Sequence, residues 1–429
     1  MPPRHRARLS AHLLALLAAS AISGVAVGAE QPPASSPLSL TDVLLRAGRC
    51  DPALAAGLAR VDAAAAGARQ AAVLPNPTVG VDIENFGGIG GIGLVDRTEA
   101  TIYYEQTLER GGKREARVSV AQAEVNLARA RILVRRLDLI EQVQVAWVEA
   151  HSADAMIALA ERRLAVVVSL ERDTARRVAV ARDPLFAGER ARTAVAQARI
   201  DLDRAGENAR QARERLVAFW RGSDDITLDP AGYFKPAIHP ARPLDDSIPD
   251  LRLLAAERDF AEARIGIEKS RATPDPRLRG GVRYLADGNG VALIVGGSIP
   301  LQRHDTNQGA IDRAQAERLA AEKDIDAWRY EREREISRLI ARRAGSMREI
   351  GRIDSDVLPG ARRAAELARD GFNRGGGAFT YLDIAEAERA ILDAEARRIE
   401  LFKSFHLDTV RLDRLMATHA PLISTLETR

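Results

Sequence analysis

The stretch Leu278-Arg279-Gly280-Gly281-Val282-Arg283-Tyr284 is followed, across Asp287-Gly288-Asn289-Gly290, by Val291-Ala292-Leu293-Ile294-Val295. Leu278, Gly280, Val282 and Tyr284 share one face of an extended strand, and Val291, Leu293 and Val295 one face of its partner, a period of two that a helix would not keep. The stretch reads as a β-hairpin. A second hairpin lies upstream, where Val79, Val81 and Ile83 alternate with Asp82 and Glu84. Beyond the glycine-rich run Gly87 to Gly93, Ala100, Ile102 and Tyr104 alternate with Thr101, Tyr103 and Glu105. Strands of about ten residues that alternate apolar with polar match the membrane-facing strands of an outer-membrane barrel. Four strands cannot close, because barrels begin at about eight and open edges are not tolerated in lipid. Several copies of the chain must therefore share one barrel, and three copies supply an even, passable ring of about twelve strands. The competing reading of the periodicity is a pair of water-soluble hairpins capping a coiled coil.

The two hairpins sit in a duplicated frame. Ala-Gln-Ala-Glu occurs at Ala121 to Glu124 and again at Ala314 to Glu317, an offset of 193 residues. Asn76-Pro77 answers Asp275-Pro276 at 199, and Ala191, Ala194 and Ala198 answer Ala387, Ala390 and Ala394 at 196. Self-similarity at a fixed period marks a tandem repeat. Each half has the order helix, hairpin, very long helix, return helix. Leu40 to Val73 reads as an Ala-rich helix with Thr41 and Asp42 as cap candidates, closed by Pro75 and Pro77, and Ile248 to Ser270 is its counterpart. Lys113 to Asp183 has no proline, and its apolar residues recur by threes and fours, predicting a helix roughly 100 Å long at ~1.5 Å per residue. Asp183-Pro184 ends it, and a return helix runs to Trp220. The second half repeats this from Asn307 to Gly371, with a bend expected at Pro359, a break at Gly375-Gly376-Gly377 and a return helix from Tyr381 to Met416. The chain thus divides into residues 1–29, a first repeat 30–221 with its hairpin at 77–108, a connector 222–248, a second repeat 249–417 with its hairpin at 277–300, and a tail 418–429.

Composition agrees with a mainly helical protein. Of 429 residues 46% are hydrophobic and only 4% aromatic, which disfavours a large sandwich and favours closely packed helices. The formal net charge of +3 is too small to suggest a nucleic-acid protein. Arg4, Arg6 and Arg8 precede an apolar run from Leu13 to Val27 that ends in Val27-Gly28-Ala29, the pattern of a secretory signal peptide cleaved after Ala29. Cys50, the single cysteine, can form no intramolecular disulfide and reads as a small buried residue or an incidental thiol. No catalytic constellation is present: His151, His239, His304, His406 and His419 are scattered without metal-ligand spacing, so no cofactor or metal site is expected. Gly111-Gly112-Lys113 lacks the upstream glycine of a phosphate loop and reads as a strand-to-helix turn.

With these elements in place the chain resembles the outer membrane factor family, the TolC-like exit ducts of tripartite efflux pumps and type I secretion systems. The resemblance runs from about Leu40 to Met416. It rests on the two repeats, on Asn76-Pro77, on Glu105-Gln106-Thr107-Leu108-Glu109-Arg110-Gly111-Gly112-Lys113-Arg114 and on Pro300-Leu301 with Asn307-Gln308-Gly309. It implies a homotrimer with a twelve-stranded barrel in the outer membrane of a Gram-negative bacterium and a helical barrel crossing the periplasm. The partners it implies are a periplasmic adaptor and an inner-membrane RND-type transporter. Gly111-Gly112-Lys113-Arg114 looks most like the branch serving cobalt, zinc, cadmium or nickel pumps, so divalent cations are the expected cargo; drug efflux, type I secretion, a periplasmic adaptor and a structural coiled coil are the alternatives. The segment Leu382 to Ala387 is similar to the family stretch whose acidic residues ring the periplasmic entrance. Asp383 and Glu386, three apart on one helix face, are thereby gate candidates, against a plain role as helix-end charges. Phe379 stands where some relatives carry a basic partner. Asp183, Pro184, Gly375, Gly376, Gly377 and Phe379 fall at the turns that, by resemblance, meet the adaptor.

Overall fold

The computed structural model describes residues 37–87, 97–223, 226–229, 233–235, 248–374 and 380–419. The signal-peptide reading, His239, the predicted break at Gly375-Gly376-Gly377 and the tip residue Phe379 lie outside them. The described chain opens with α1 (Leu40–Cys50) and α2 (Pro52–Ala71), where a single helix from Leu40 to Val73 is the sequence expectation. Pro52 has no N–H to continue α1, and the Asp51 carboxylate accepts from the Ala53 N–H at 2.7 Å, so the chain stops one helix and caps the next. The N-cap of α1 is Ser39, two positions before Thr41, and the other expected cap, Asp42, instead closes a reciprocal capping box with it.

Strands β1 (Thr78–Glu84) and β2 (Glu99–Thr107) follow, then α3 (Lys113–Ala179) and α4 (Leu185–Val217), extended by a 3₁₀ turn to Trp220. The second repeat gives α5 (Pro249–Arg271), β3 (Arg277–Leu285), β4 (Gly290–Ser298), α6 (Gln308–Arg352), α7 (Leu358–Arg374) and α8 (Tyr381–Met416). The bend expected at Pro359 is a π-helical turn, Ile353–Val357, between α6 and α7. A proline ring cannot pass the carbonyl of the preceding turn, and the wider π turn removes that clash without ending the helix.

At 67 residues α3 is about 100 Å long, and α2, α4, α5 and α8 all pack along it. Small residues permit the close approach: Ala150 on α3 and Ala191, Ala198 and Ala209 on α4 are fully or almost fully buried. The main core lies at the waist, where Val43 and Leu44 of α1 meet Leu137, Ile140 and Val143 of α3, Leu216 of α4 and Leu251 of α5. A separate core at the far end joins Leu170, Ala191, Phe372, Tyr381 and Ile384, one contribution or more from each of α3, α4, α7 and α8. At the waist Arg414 of α8 is buried against Asp250 of α5 and Asp138 of α3 by hydrogen bonds of 2.7–2.9 Å. Burial works against its charge, but the two carboxylates prevail and raise its pKa.

Candidate functional site: sheet, elbows and helical tip

The four strands form one antiparallel sheet in the order β1-β2-β3-β4, so the junction between repeats is the β2–β3 ladder. Its register places Val81, Ile102, Val282 and Leu293 in one transverse row. Val79, Tyr104, Gly280 and Val295 form the row on one side, and Ile83, Ala100, Tyr284 and Val291 the row on the other. This whole apolar face is uncovered: Leu293 is 85% and Val295 92% exposed, and Val79, Val81, Ile83, Ile102, Tyr104, Val282 and Tyr284 are exposed as well. Contiguous exposed apolar surface on this scale marks contact with lipid or protein.

The opposite face is charged and internally paired. Arg283 reaches Glu99, the Thr101 hydroxyl at 2.9 Å and Glu84 at 3.1 Å, while Arg279 reaches Asp82 at 3.4 Å and Arg277 reaches Glu105 at 3.9 Å. Charged and polar side chains thus line the opposite face on β1, β2 and β3, while β4 offers Ala292, Ile294 and Gly296 there, and β1 and β4 carry unpaired outer edges among the described residues.

Where strands become long helices, the junction motifs hold two elbows. Gly111 and Gly112 take φ of 69° and 72°, and a Cβ at Gly111 would sit 2.6 Å from Thr273, so glycine is required there twice over. Arg114 donates to the Ala72 carbonyl at 2.7 Å, and Arg117 to those of Ala71 and Val73 and to Glu109, satisfying the open carbonyls beyond α2. Lys113 pairs with Asp275 at 2.7 Å, and the Arg110 N–H donates to the same carboxylate. Partial burial would raise the Asp275 pKa, but these two donors bring it below the ordinary carboxylate value. The second elbow is held by other residues to the same end. There Asn307, at φ 60°, donates to the Glu268 carbonyl at 2.8 Å and Gln302 to that of Arg271 at 3.1 Å.

At the far end the turn from α3 to α4 is clamped to the other repeat. Arg177 donates to both oxygens of Asp183 (2.9 and 3.0 Å) and to the Phe372 carbonyl (2.7 Å), with its guanidinium 4.0 Å from the Phe372 ring centroid. Asp183 is thus largely buried in the clamp, whereas Leu185 and Phe186 just beyond Pro184 are exposed. Asp383 accepts from the Thr380 N–H and hydroxyl, both at 2.7 Å, in a capping box that lowers its pKa. Glu386 is exposed one turn on. Both carboxylates sit at the start of α8 beside the tip core, and the described residues contain no group of side chains suited to a metal ion.

A third feature lies near the waist, where the connector is pinned by Tyr233 between His151 of α3 and His406 of α8, ring centroids 5.7 and 4.9 Å apart. His406 Nε2 lies 2.8 Å from the Tyr233 carbonyl. Burial lowers the pKa of both histidines and pushes the Tyr233 phenol up to about 12. Cys50 is exposed, which removes the buried alternative. Sequence reasoning missed Arg177, Asp275 and Tyr233 as positioning groups. Of the rest, the arginines at 277, 279 and 283 carried a visible signal, alternating along β3 with the apolar set.

Comparison with known proteins gives a family and a fold. The family described as outer membrane efflux protein matches residues 46–220 and 245–418. The cobalt-zinc-cadmium resistance protein CzcC of Cupriavidus metallidurans is 27% identical over 390 residues, covering 89% of this chain and 91% of that one. The nickel-cobalt-cadmium resistance protein NccC of Alcaligenes xylosoxydans xylosoxydans is 30% identical over 289 residues, 65% of this chain and 64% of that one. Among solved structures the outer membrane protein VceC of Vibrio cholerae superposes with a TM-score of 0.68 at 20% identity, covering 88% of this chain and 95% of that one.

Proposed function

We propose, from the premise that this chain belongs to the outer membrane efflux protein family, that three copies assemble into one outer-membrane exit duct that conducts divalent heavy-metal cations out of the cell. Each copy contributes four strands to a twelve-stranded barrel and its α3–α4 and α6–α8 helices to a periplasmic barrel. The observation that carries this reading is the sheet: an uncovered apolar face backed by a paired polar one, with both edges open, is stable in a bilayer only when other copies complete the ring. Metal cargo is supported by the names of the two relatives above, both metal-resistance proteins. The duct performs no chemistry. Its wall needs no tight metal site, because an ion held strongly would not leave.

Residues 1–29 direct the chain across the inner membrane, leaving the mature protein in the outer membrane of a Gram-negative cell with most of its length in the periplasm. Asp383 and Glu386 from three chains ring the periplasmic mouth and favour cations. The tips, with Asp183 and Pro184 on one side and Gly375, Gly376, Gly377 and Phe379 on the other, meet a periplasmic adaptor that joins the duct to an RND-type inner-membrane transporter. The test is reconstitution of the purified protein in planar bilayers. Cation-selective channels with nickel or cobalt permeation are expected, and a protein that extracts without detergent and forms no channel overturns the reading.

A further inference from the structure

On the polar face of the sheet one transverse row runs Gly80, Tyr103, Gly281, Ile294, with Tyr103 at the midpoint of β2. A Cβ at Gly80 would lie 2.4 Å from Tyr103 Cζ and 2.5 Å from its hydroxyl, so the ring fills the space a side chain on β1 would need. On the other flank a Cβ at Gly281 would lie 2.4 Å from the Ile102 carbonyl oxygen and 2.8 Å from Tyr103 Cβ. The Arg279 guanidinium crosses from β3, 4.6 Å from the Tyr103 ring centroid, and goes on to Asp82 of β1 at 3.4 Å. The ring is therefore laid over a glycine, covered by a cation that its π face attracts, and that cation is anchored by a carboxylate. Not every glycine of this face makes room for a neighbour, since nothing lies within 4 Å of a Cβ built at Gly296 of β4. Glycine inside a strand costs backbone entropy and gives up cross-strand contacts, so its place beneath an aromatic ring calls for a compensating role.

We infer that Gly80 and Arg279 hold the Tyr103 ring flat against the wall and thereby set the bore of the duct at the mid-height of its barrel. This rests on the reading that the polar face lines a conducting lumen. Gly80 and Arg279 are positioning residues that act through Tyr103, and three copies of the ring share one level of the lumen.

Single-channel conductance of the full-length protein in planar bilayers tests this, with KCl as the carried salt. Gly80→Ala should turn the rings inward and lower conductance below that of the wild-type channel, since side chains entering a lumen reduce its open cross-section. Gly296→Ala, on the same face, should leave conductance unchanged, and Gly80→Ala with Tyr103→Ala should restore it. Should Gly80→Ala not assemble, Arg279→Ala frees the ring without crowding it and should raise open-channel current noise, which adding Tyr103→Ala removes. Equal conductance of the Gly80→Ala and Gly296→Ala channels, or unaltered noise in Arg279→Ala, overturns the inference. A wild-type protein that forms no channel overturns the duct reading itself, so the two failures are distinct.

Discussion

Leu293→Arg probes the inside-outside phase of the sheet. Leu293 is 85% exposed and belongs to the middle of the three apolar rows, Val81-Ile102-Val282-Leu293, which under the proposed function is the row nearest the centre of the lipid-facing band. An arginine at the bilayer midplane of a barrel costs about 2–4 kcal/mol. Per chain that is an assembly equilibrium weakened by about 30- to 900-fold, and three chains carry the substitution in one ring. The adjacent Ala292 is the control: it pairs with Arg283 on the polar face, one residue away and pointing to the other side. Heat-modifiable trimer in the outer-membrane fraction, read on unheated gels, is the assay. Leu293→Arg should lose most of that band and Ala292→Arg should keep it. Normal assembly of Leu293→Arg with loss in Ala292→Arg would reverse the assigned faces, and normal assembly of both would remove the sheet from the lipid.

Arg177→Ala takes away the bidentate Asp183 pair and the Phe372 carbonyl bond, so melting should begin at the helical tip with a loss of about 2–3 kcal/mol. Arg177→Lys should not restore it, because a single ammonium cannot reproduce the planar fork; unchanged hydrogen exchange around residues 170–186 in either variant counts against the clamp. The histidine pair makes a pH prediction. Burial lowers the pKa of His151 and His406, so the unfolded chain takes up protons first, and their contribution is complete above about pH 6.5 and lost as pH falls below it. Thermal melts from pH 8 to 5 should show a drop that is reduced in His151→Phe with His406→Asn, and parallel curves would refute this. Asp383→Asn with Glu386→Gln keeps side-chain shape and removes charge, so channels should lose cation selectivity and block by multivalent cations while still assembling. Unchanged selectivity would leave these carboxylates as helix-end charges.

Local rules made much of this fold legible. Period-two spacing of apolar residues found all four strands, and the Gly375-Gly376-Gly377 break found the start of α8 at Tyr381, because such effects act close to the residues that cause them. The division of Leu40 to Val73 was equally local, written in Asp51-Pro52, and was hidden by the helical spacing of apolar residues that continues on both sides of it. What could not be read were contacts made between repeats. Arg177 meets Phe372 across 195 residues, Arg279 meets Asp82 across 197 and Arg283 meets Glu84 across 199. These separations match the offset of the duplication, so such pairs become neighbours only after both repeats have folded side by side. The candidate gate was legible as two acidic residues one turn apart, but not that Asp383 Oδ2 takes both donors of the cap while Glu386 is exposed beyond it.

The central claim is that four strands with two open edges exist only as part of a shared ring. The mass of the protein extracted from outer membranes in mild detergent tests it most directly. Light scattering with the detergent contribution subtracted should give roughly three protomers per particle, the number that carries the strand count past the minimum for closure. A stable monomer or dimer at working concentration, still folded and still able to conduct, would contradict the account.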